Sequence, residues 1–243
     1  MIKFELSNPI VLKTVINSLN EITSECGIHF TNDELKINAL SKDHTTFINI
    51  DLKKYLFDEY ECSTDEVITV DVYQLNNIMK RCKNTDRITC NIDDNNFNLI
   101  FHGDSTRAFT TRLIDNEYET PKPPIINYTY KVDLPTNVFQ DSLNDLKIFS
   151  DVIRISMDND YLLFKSEGQA GDGLIKYLHG ENIQDYLESQ YSIEKLSQIM
   201  KAKDFSETIT MKLGDNLPLS IKFKLVTGDG EMSFLVAPRI SEW

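Results

Sequence analysis

Apolar residues return at intervals of three and four in four stretches of the chain, near 9–22, 72–83, 136–148 and 191–203. That spacing belongs to a helix burying one stripe of its surface. Pro9 and Pro135 stand where two of these helices would begin, and a proline at a helix start removes no helical hydrogen bond. Elsewhere the period is two, as in FINIDL, VITVDV, RITCNI, FNLIF, VIRISM, YLLFK, LSIKFKL and MSFLVA, which describes strands with one buried face. Pairs such as Asp93-Asp94, Asn95-Asn96, Asp158-Asn159 and Gly228-Asp229 separate them and supply turns. The pattern predicts an α+β fold in which pairs of helices cover one face of an antiparallel sheet.

The pattern occurs twice. At a shift of 127, Leu12, Ile16, Leu19 and Ile22 fall on Phe139, Leu143, Leu146 and Phe149, and Ile28, Asp33, Leu35, Ile37 and Phe47 fall on Ile155, Asp160, Leu162, Phe164 and Leu174. Further along the shift is 121, which sets Leu75, Ile78, Met79 and Lys80 on Leu196, Ile199, Met200 and Lys201. One shift spanning helical and strand patterns predicts a duplicated domain. Between the halves runs IDNEYETPKPPIIN, whose clustered prolines exclude helix and central strand and favour a stiff, extended connection. The expected organisation is domain 1–114, linker 115–127 and domain 128–243.

A chain of 243 residues with 41% apolar content can bury a real core. It contains no apolar run near the roughly 20 residues of a membrane span, and Met1 opens onto alternating Ile2, Phe4 and Leu6 instead of a signal peptide. The expectation is a soluble intracellular protein. Cys26, Cys62, Cys82 and Cys90 form no CxxC pair and read as buried free thiols.

The net charge of −13 argues against simple phosphate binding, but its distribution changes the picture. The outward stripe of the first predicted helix carries Lys13, Asn17 and Asn20, and the shift of 127 sets Gln140, Asn144 and Lys147 on the third. The other pair contributes Asn77, Lys80 and Asn84, then Gln198 and Lys201. These eleven positions hold four lysines and no carboxylate, in a chain with 38 acidic residues. Taken as 9–22, 72–83, 136–149 and 191–204, the helical segments together hold eight basic and five acidic residues, a net +3 that leaves −16 elsewhere. A polar, mildly basic face without aromatic interleaving suits phosphate contact without base reading.

Catalytic readings are weaker. Asp93-Asp94 and the run from Asp158 to Asp160 could hold Mg²⁺ as a phosphodiesterase does, but both lie at predicted hairpin turns, where Asp and Asn serve the backbone. His29, His44, His102 and His179 lack ligand spacing, and GQAGDGLIKY lacks the Lys-Ser/Thr of a phosphate loop. The expectation is a protein without catalytic residues, metal or cofactor.

The two-helix repeat, the proline-rich linker, ALSKDHTTFINIDL (39–52) and FLVAPRI (234–240) together resemble the proliferating cell nuclear antigen family, in its archaeal form. The resemblance implies two matching domains per subunit and a homotrimeric ring, with twelve helices facing double-stranded DNA bound without sequence preference. It also implies partner peptides from a DNA polymerase, a clamp loader, a flap nuclease and a ligase, each placing an apolar plug in a pocket. The matching positions are Leu40 and His44, the linker residues Pro123, Pro124, Ile125 and Ile126, then Leu217 with Pro218, and Leu235 with Ala237 and Pro238. Asp141 and Asn144 stand where eukaryotic members are basic. The archaeal pattern implies that Asp141 and Asp145 face Arg81, Lys83 or Arg107 of the next subunit. Strand 107–114, with Phe109 and Thr110, would join strand 173–179, with Leu174 and Lys176, of a neighbour. A checkpoint-type or heterotrimeric clamp subunit is the nearer alternative, and a metal-dependent phosphodiesterase or nuclease the more distant one.

Overall fold

The computed structural model describes residues 2–93, 95–116, 118–158, 160–179 and 186–239; Asp94, Glu117, Asn159 and Ile240, which carried parts of the sequence reading, lie outside them. The chain divides into two compact units, Met1–Pro123 with Lys224–Met232 and Pro124–Phe223 with Ser233–Trp243.

The first unit contains β1 (Ile2–Leu6), α1 (Pro9–Ile22), β2 (Glu25–Phe30), β3 (Glu34–Leu40), β4 (Thr46–Lys53), β5 (Glu59–Cys62), β6 (Glu66–Asp71), α2 (Val72–Met79), β7 (Arg87–Asp93), β8 (Asn96–His102) and β9 (Thr106–Arg112). The second contains β10 (Tyr130–Pro135), α3 (Thr136–Leu146), β11 (Val152–Met157), β12 (Tyr161–Gly168), β13 (Gly171–Leu178), β14 (Leu187–Ser192), α4 (Ile193–Ile199), β15 (Thr208–Leu213) and β16 (Leu219–Lys224), and β17 (Gly230–Val236) closes the chain. The repeat reappears in these boundaries. The starts of α1 and α3, β2 and β11, and β3 and β12 lie 127 residues apart, and those of β6 and β14, α2 and α4, and β7 and β15 lie 121 apart. Pairing repeats as well: β4-β3-β2-β6 in one unit corresponds to β13-β12-β11-β14 in the other, antiparallel throughout.

One sheet per unit was expected, but the strands of the first unit form two arrays, β5-β1-β7-β8-β9 and β4-β3-β2-β6. Strand alternation reports which side chains are buried, not which strands are neighbours, so the division is invisible in the pattern. The arrays share a core: Phe4 of β1 stacks on Phe30 of β2 at 6.3 Å and tilts against Phe57 at 5.1 Å. In the second unit Phe139 of α3 meets Phe164 of β12 at 5.5 Å, both fully buried. All four cysteines are buried and free, and burial pushes the Cys26 thiol up to about 12.

Local chemistry sets the helix ends. Asn8 accepts from the Ile10 amide at 3.1 Å and Pro9 opens α1, while Asp71 accepts from Gln74 N at 2.9 Å at the start of α2. Pro135 is the cap residue of α3, not its first helical position, and the Thr136 amide turns aside to the Glu207 carbonyl at 2.8 Å. Three helices are shorter than expected, since α2 stops at Met79, α3 at Leu146 and α4 at Ile199, with a 3₁₀ segment Met200–Phe205 following; α4 also starts late, at Ile193, because Tyr191 and Ser192 finish β14 and pair with β11. After α2, Arg81 N and Cys82 N bond back three residues, to Ile78 O at 2.9 Å and Met79 O at 3.1 Å. Cys82 is buried in this tighter turn, as it would be in a continuing helix, so its place in the apolar spacing cannot tell the two apart.

The segment after β9 has no regular structure, but it is tied down where it begins. Thr69 bridges Ile114 and its hydroxyl donates to the Asn116 carbonyl at 3.4 Å. Tyr118 lies against Gly27 so closely that a Cβ there would sit 2.6 Å from its ring. Farther on, Ile125 is 98% exposed.

Candidate nucleic-acid and partner interfaces

None of the eleven stripe residues is buried. In the first unit Lys13 and Asn17 lie on α1 with Asn20, and Asn77 on α2, but Lys80 caps α2 and Asn84 lies beyond it. In the second unit Gln140 and Asn144 lie on α3 and Gln198 on α4, whereas Lys147 caps α3 and Lys201 follows α4 in the 3₁₀ segment. Two of the four lysines, Lys80 and Lys147, therefore stand at helix C-termini, where the backbone dipole favours a cation. The Gln140 amide reaches the Asn144 side chain at 3.2 Å. Gln140 and Asp141 also line a cleft of about 650 Å³ with Lys203 and Glu207.

Lys13 is more than a surface charge. Its ammonium donates to the Cys82 carbonyl and to Asn84 Oδ1, both at 2.8 Å, which ties α1 to the loop after α2. Asp86, 1% exposed, holds the same loop from beneath, accepting from the Lys83 amide at 2.6 Å and from the Arg107 guanidinium. Burial opposes its charge, but the Lys83 amide and Arg107 outweigh that and keep the carboxyl below the usual carboxylate range. Arg107 also donates to the Arg81 carbonyl at 2.7 Å and lies 5.7 Å from the Phe101 ring. Gly103 makes room for Asp86, since a Cβ there would meet Asp86 Oδ1 at 2.1 Å. Sequence reasoning missed Asp86 and Gly103. Only the turn brings them to Arg107, and no local spacing signals it.

The residues expected at a subunit boundary divide accordingly. Arg107 is engaged by Asp86, and Lys83 pairs with Asp104 at 2.9 Å on the surface. Arg81, Asp141 and Asp145 are exposed. Thr110 donates to Asn98 at 2.7 Å, and Phe109 tilts against Phe101 at 5.3 Å. Both expected strands stand at ends of their arrays, β9 in one and β13 in the other. Antiparallel neighbours bond at alternate residues. Leu113 N donates to Asn95 O at 2.9 Å, so in the same register Thr111, Phe109 and Arg107 bond β8, whereas Ala108, Thr110 and Arg112 turn their amides outward. His179 N donates to Asp160 O at 3.1 Å, and by the same count Leu174, Lys176 and Leu178 of β13 turn outward. Leu174 and Leu178 are 48% and 62% exposed.

The apolar positions fall on built turns. Leu40 ends β3, and the loop behind it is over-determined: Ser41 Oγ donates to Asp43 at 2.6 Å and accepts from Thr46 N at 2.9 Å, while His44, at φ 56°, donates its amide to Ser41 O at 2.8 Å. Leu217 and Pro218 lie half-buried between β15 and β16. Leu235 is half-buried on β17, and Ala237 and Pro238 follow it, half-buried. Of the linker residues, Pro123, Pro124 and Ile125 are exposed and Ile126 is half-buried.

The acidic turns serve the backbone. Asp93 accepts from Asn96 N at 3.2 Å, and Asp158 accepts from the Asp160 and Tyr161 amides at 3.3 and 3.0 Å. Among the described residues no group of three or more His, Cys, Asp or Glu side chains could hold a metal ion. The glycine-rich stretch turns into β13 at Gly171, whose φ of 142° suits glycine.

A duplicated α+β unit with paired helices and open-ended antiparallel arrays defines a two-domain clamp fold. Residues 1–119 match the family model for the proliferating cell nuclear antigen N-terminal domain, and residues 122–239 match that for its C-terminal domain. The chain belongs to the proliferating cell nuclear antigen family. Proteins named DNA polymerase sliding clamp from Methanobrevibacter smithii and Methanothermobacter thermautotrophicus are 40% and 41% identical to it over 99% of this chain and 98% of theirs. A crystal structure of PCNA from Thermococcus kodakaraensis has the same fold, with a TM-score of 0.91 and 20% identity over 98% of this chain and 100% of that one.

Proposed function

We propose that this chain is a DNA polymerase sliding clamp, a subunit of a homotrimeric ring that encircles duplex DNA and tethers replication and repair proteins to it. It acts as a tether, without a catalytic step. One observation carries the reading: eleven accessible positions on or just past four helices hold four lysines and no carboxylate, in a chain of net charge −13. Such a surface holds phosphates loosely and reads no bases. The outward amides of β9 and β13 support ring closure by addition of β9 of one copy to β13 of the next, a head-to-tail contact that closes by rotation. Leu40, His44, Leu217, Leu235, Ala237, Pro238 and the linker residues Pro123 to Ile126 would receive the apolar plugs of polymerase, clamp-loader, flap-nuclease and ligase peptides.

The test is the mass of the purified single chain, with its retention on closed circular DNA after loading. The expected result is a trimer, retained on circles, lost from linear DNA with free ends, and without nuclease activity in Mg²⁺ or Mn²⁺. A monomer that cleaves DNA would replace this reading with the phosphodiesterase. Trimers that form only with a second chain would make it a heterotrimeric or checkpoint-type subunit.

A further inference from the structure

The turn carrying Leu217 and Pro218 is held from behind by β14, a strand with no residue among the predicted pocket walls. Ser189, 2% exposed, donates its hydroxyl to the Gly214 carbonyl at 3.2 Å and accepts from the Asn216 amide at 2.9 Å. Tyr191, fully buried, donates its phenol to the Leu217 carbonyl at 2.9 Å. Within the turn, Leu217 N returns to Gly214 O at 3.4 Å and Asn216 takes the left-handed conformation, φ 52°. The Leu217 side chain folds back so tightly that a Cβ on Gly214 would meet it at 2.5 Å. Between the two hydroxyl residues, the Gln190 carbonyl accepts from the Arg239 amide at 2.7 Å and so anchors the segment that carries Ala237 and Pro238. Three consecutive residues of one strand thus fix the backbones behind two apolar segments.

We propose that Ser189 and Tyr191 are positioning residues for partner-peptide binding, whose hydroxyls set the backbone of the Leu217–Pro218 wall so that an apolar plug meets it preformed. This rests on the reading that Leu217 and Pro218 receive such a plug. Apolar walls have no directional bonds of their own, so their placement must come from polar groups behind them, and a wall already in place spares the ligand the cost of ordering it. Burial pushes the Tyr191 phenol up to about 12, so it remains a donor at working pH.

Tyr191→Phe removes one oxygen and keeps the buried ring, and Ser189→Ala does the same for the other anchor. The probe is a short fluorescein-labelled peptide with one cluster of large apolar residues between polar flanks, titrated against full-length wild type, both single variants, the double variant and Leu217→Asp. Tyr191→Phe is expected to weaken binding about three- to tenfold, the net worth of one neutral hydrogen bond, and Ser189→Ala, which loses two, by at least as much. Amide exchange at Asn216 and Leu217 should quicken, with oligomer mass and DNA retention unchanged. Thermal stability that falls while peptide affinity and exchange at the turn stay at wild-type values would overturn the proposal, leaving the hydroxyls as satisfied core groups. Leu217→Asp separates the two failures. Wild-type affinity in that variant removes the pocket itself, whereas loss there beside unchanged Tyr191→Phe and Ser189→Ala removes only the positioning role.

Discussion

Replacing Thr110 by proline tests the assembly at a single atom. Thr110 pairs with Asn98 across the ladder, but alternation turns its amide away from β8, toward the open end of the array. Proline there leaves every β8–β9 bond intact and removes one outward donor, as tolerated on edge strands. The lost Thr110–Asn98 side-chain bond, 2.7 Å long and exposed, matters little to folding. If β13 of a neighbour adds to this edge, the subunit contact loses one backbone hydrogen bond worth about 1 kcal/mol. The ring methylene, standing where the neighbour's carbonyl would approach, costs an adjacent bond of about the same size. The sum, about 2 kcal/mol per contact, raises the contact's dissociation constant roughly thirtyfold. Light scattering across a dilution series should show trimers giving way to monomers at correspondingly higher concentration. Phe109→Pro is the control, since Phe109 bonds β8 and its loss damages the fold itself. A Thr110→Pro trimer as resistant to dilution as wild type would refute assembly through this edge.

Three further outcomes are expected. Replacing Lys13, Lys80, Lys147 and Lys201 with Ala should weaken retention on DNA without sequence preference and flatten the log-log salt dependence by up to about four, near 0.9 per phosphate contact; because Lys13 also holds the loop after α2, a Lys80/Lys201 double variant should give about half the change, and parallel salt curves for wild type and variants would make these lysines ordinary surface charges. Leu40→Asp should abolish binding of an apolar-plug peptide while mass stays trimeric, because burying an unpaired carboxylate against the plug costs several kcal/mol, roughly 2–7 for a polar group alone; equal affinities would misplace the wall. Burial raises the Glu34 pKa, but its ion pairs with Lys36 and Lys53 outweigh that and hold it below the usual carboxylate range, so its stabilisation is present above the ordinary carboxylate pKa and lost as pH falls through the lower folded one. Glu34→Gln should therefore melt earlier than wild type at neutral pH and match it in strong acid, and a gap that persists in strong acid would show that the charge is not responsible.

The sequence by itself determined the elements and their duplication. Side-chain burial repeats at the period of the backbone that carries it, so α1 appears in Leu12, Ile16 and Leu19, and its counterpart α3 in Phe139, Leu143 and Leu146, before any coordinates. The clustered prolines marked the connection for an equally local reason, since the ring constrains its own backbone. The stripe of lysines and amides was legible too, because avoidance of carboxylates is a property of composition. Tertiary structure decided what depends on residues distant in the chain. Cys82 is buried whether α2 continues or tightens, so its spacing hid the three-residue bonds from Arg81 N and Cys82 N that end the helix, and the Asp86–Arg107 contact and the bond from Lys13 that hold the loop beyond. The sequence shows Arg107 as a charge without a partner in its own chain, and the fold sets Asp86 beneath it. Ser189 stood in no predicted element and Tyr191 opened the predicted helix 191–203, because hydrogen bonds to a turn 25 and 26 residues away leave no periodic trace. Periodicity records which side of an element faces the core, whereas a hydrogen bond between remote segments exists only once the chain has brought donor and acceptor together.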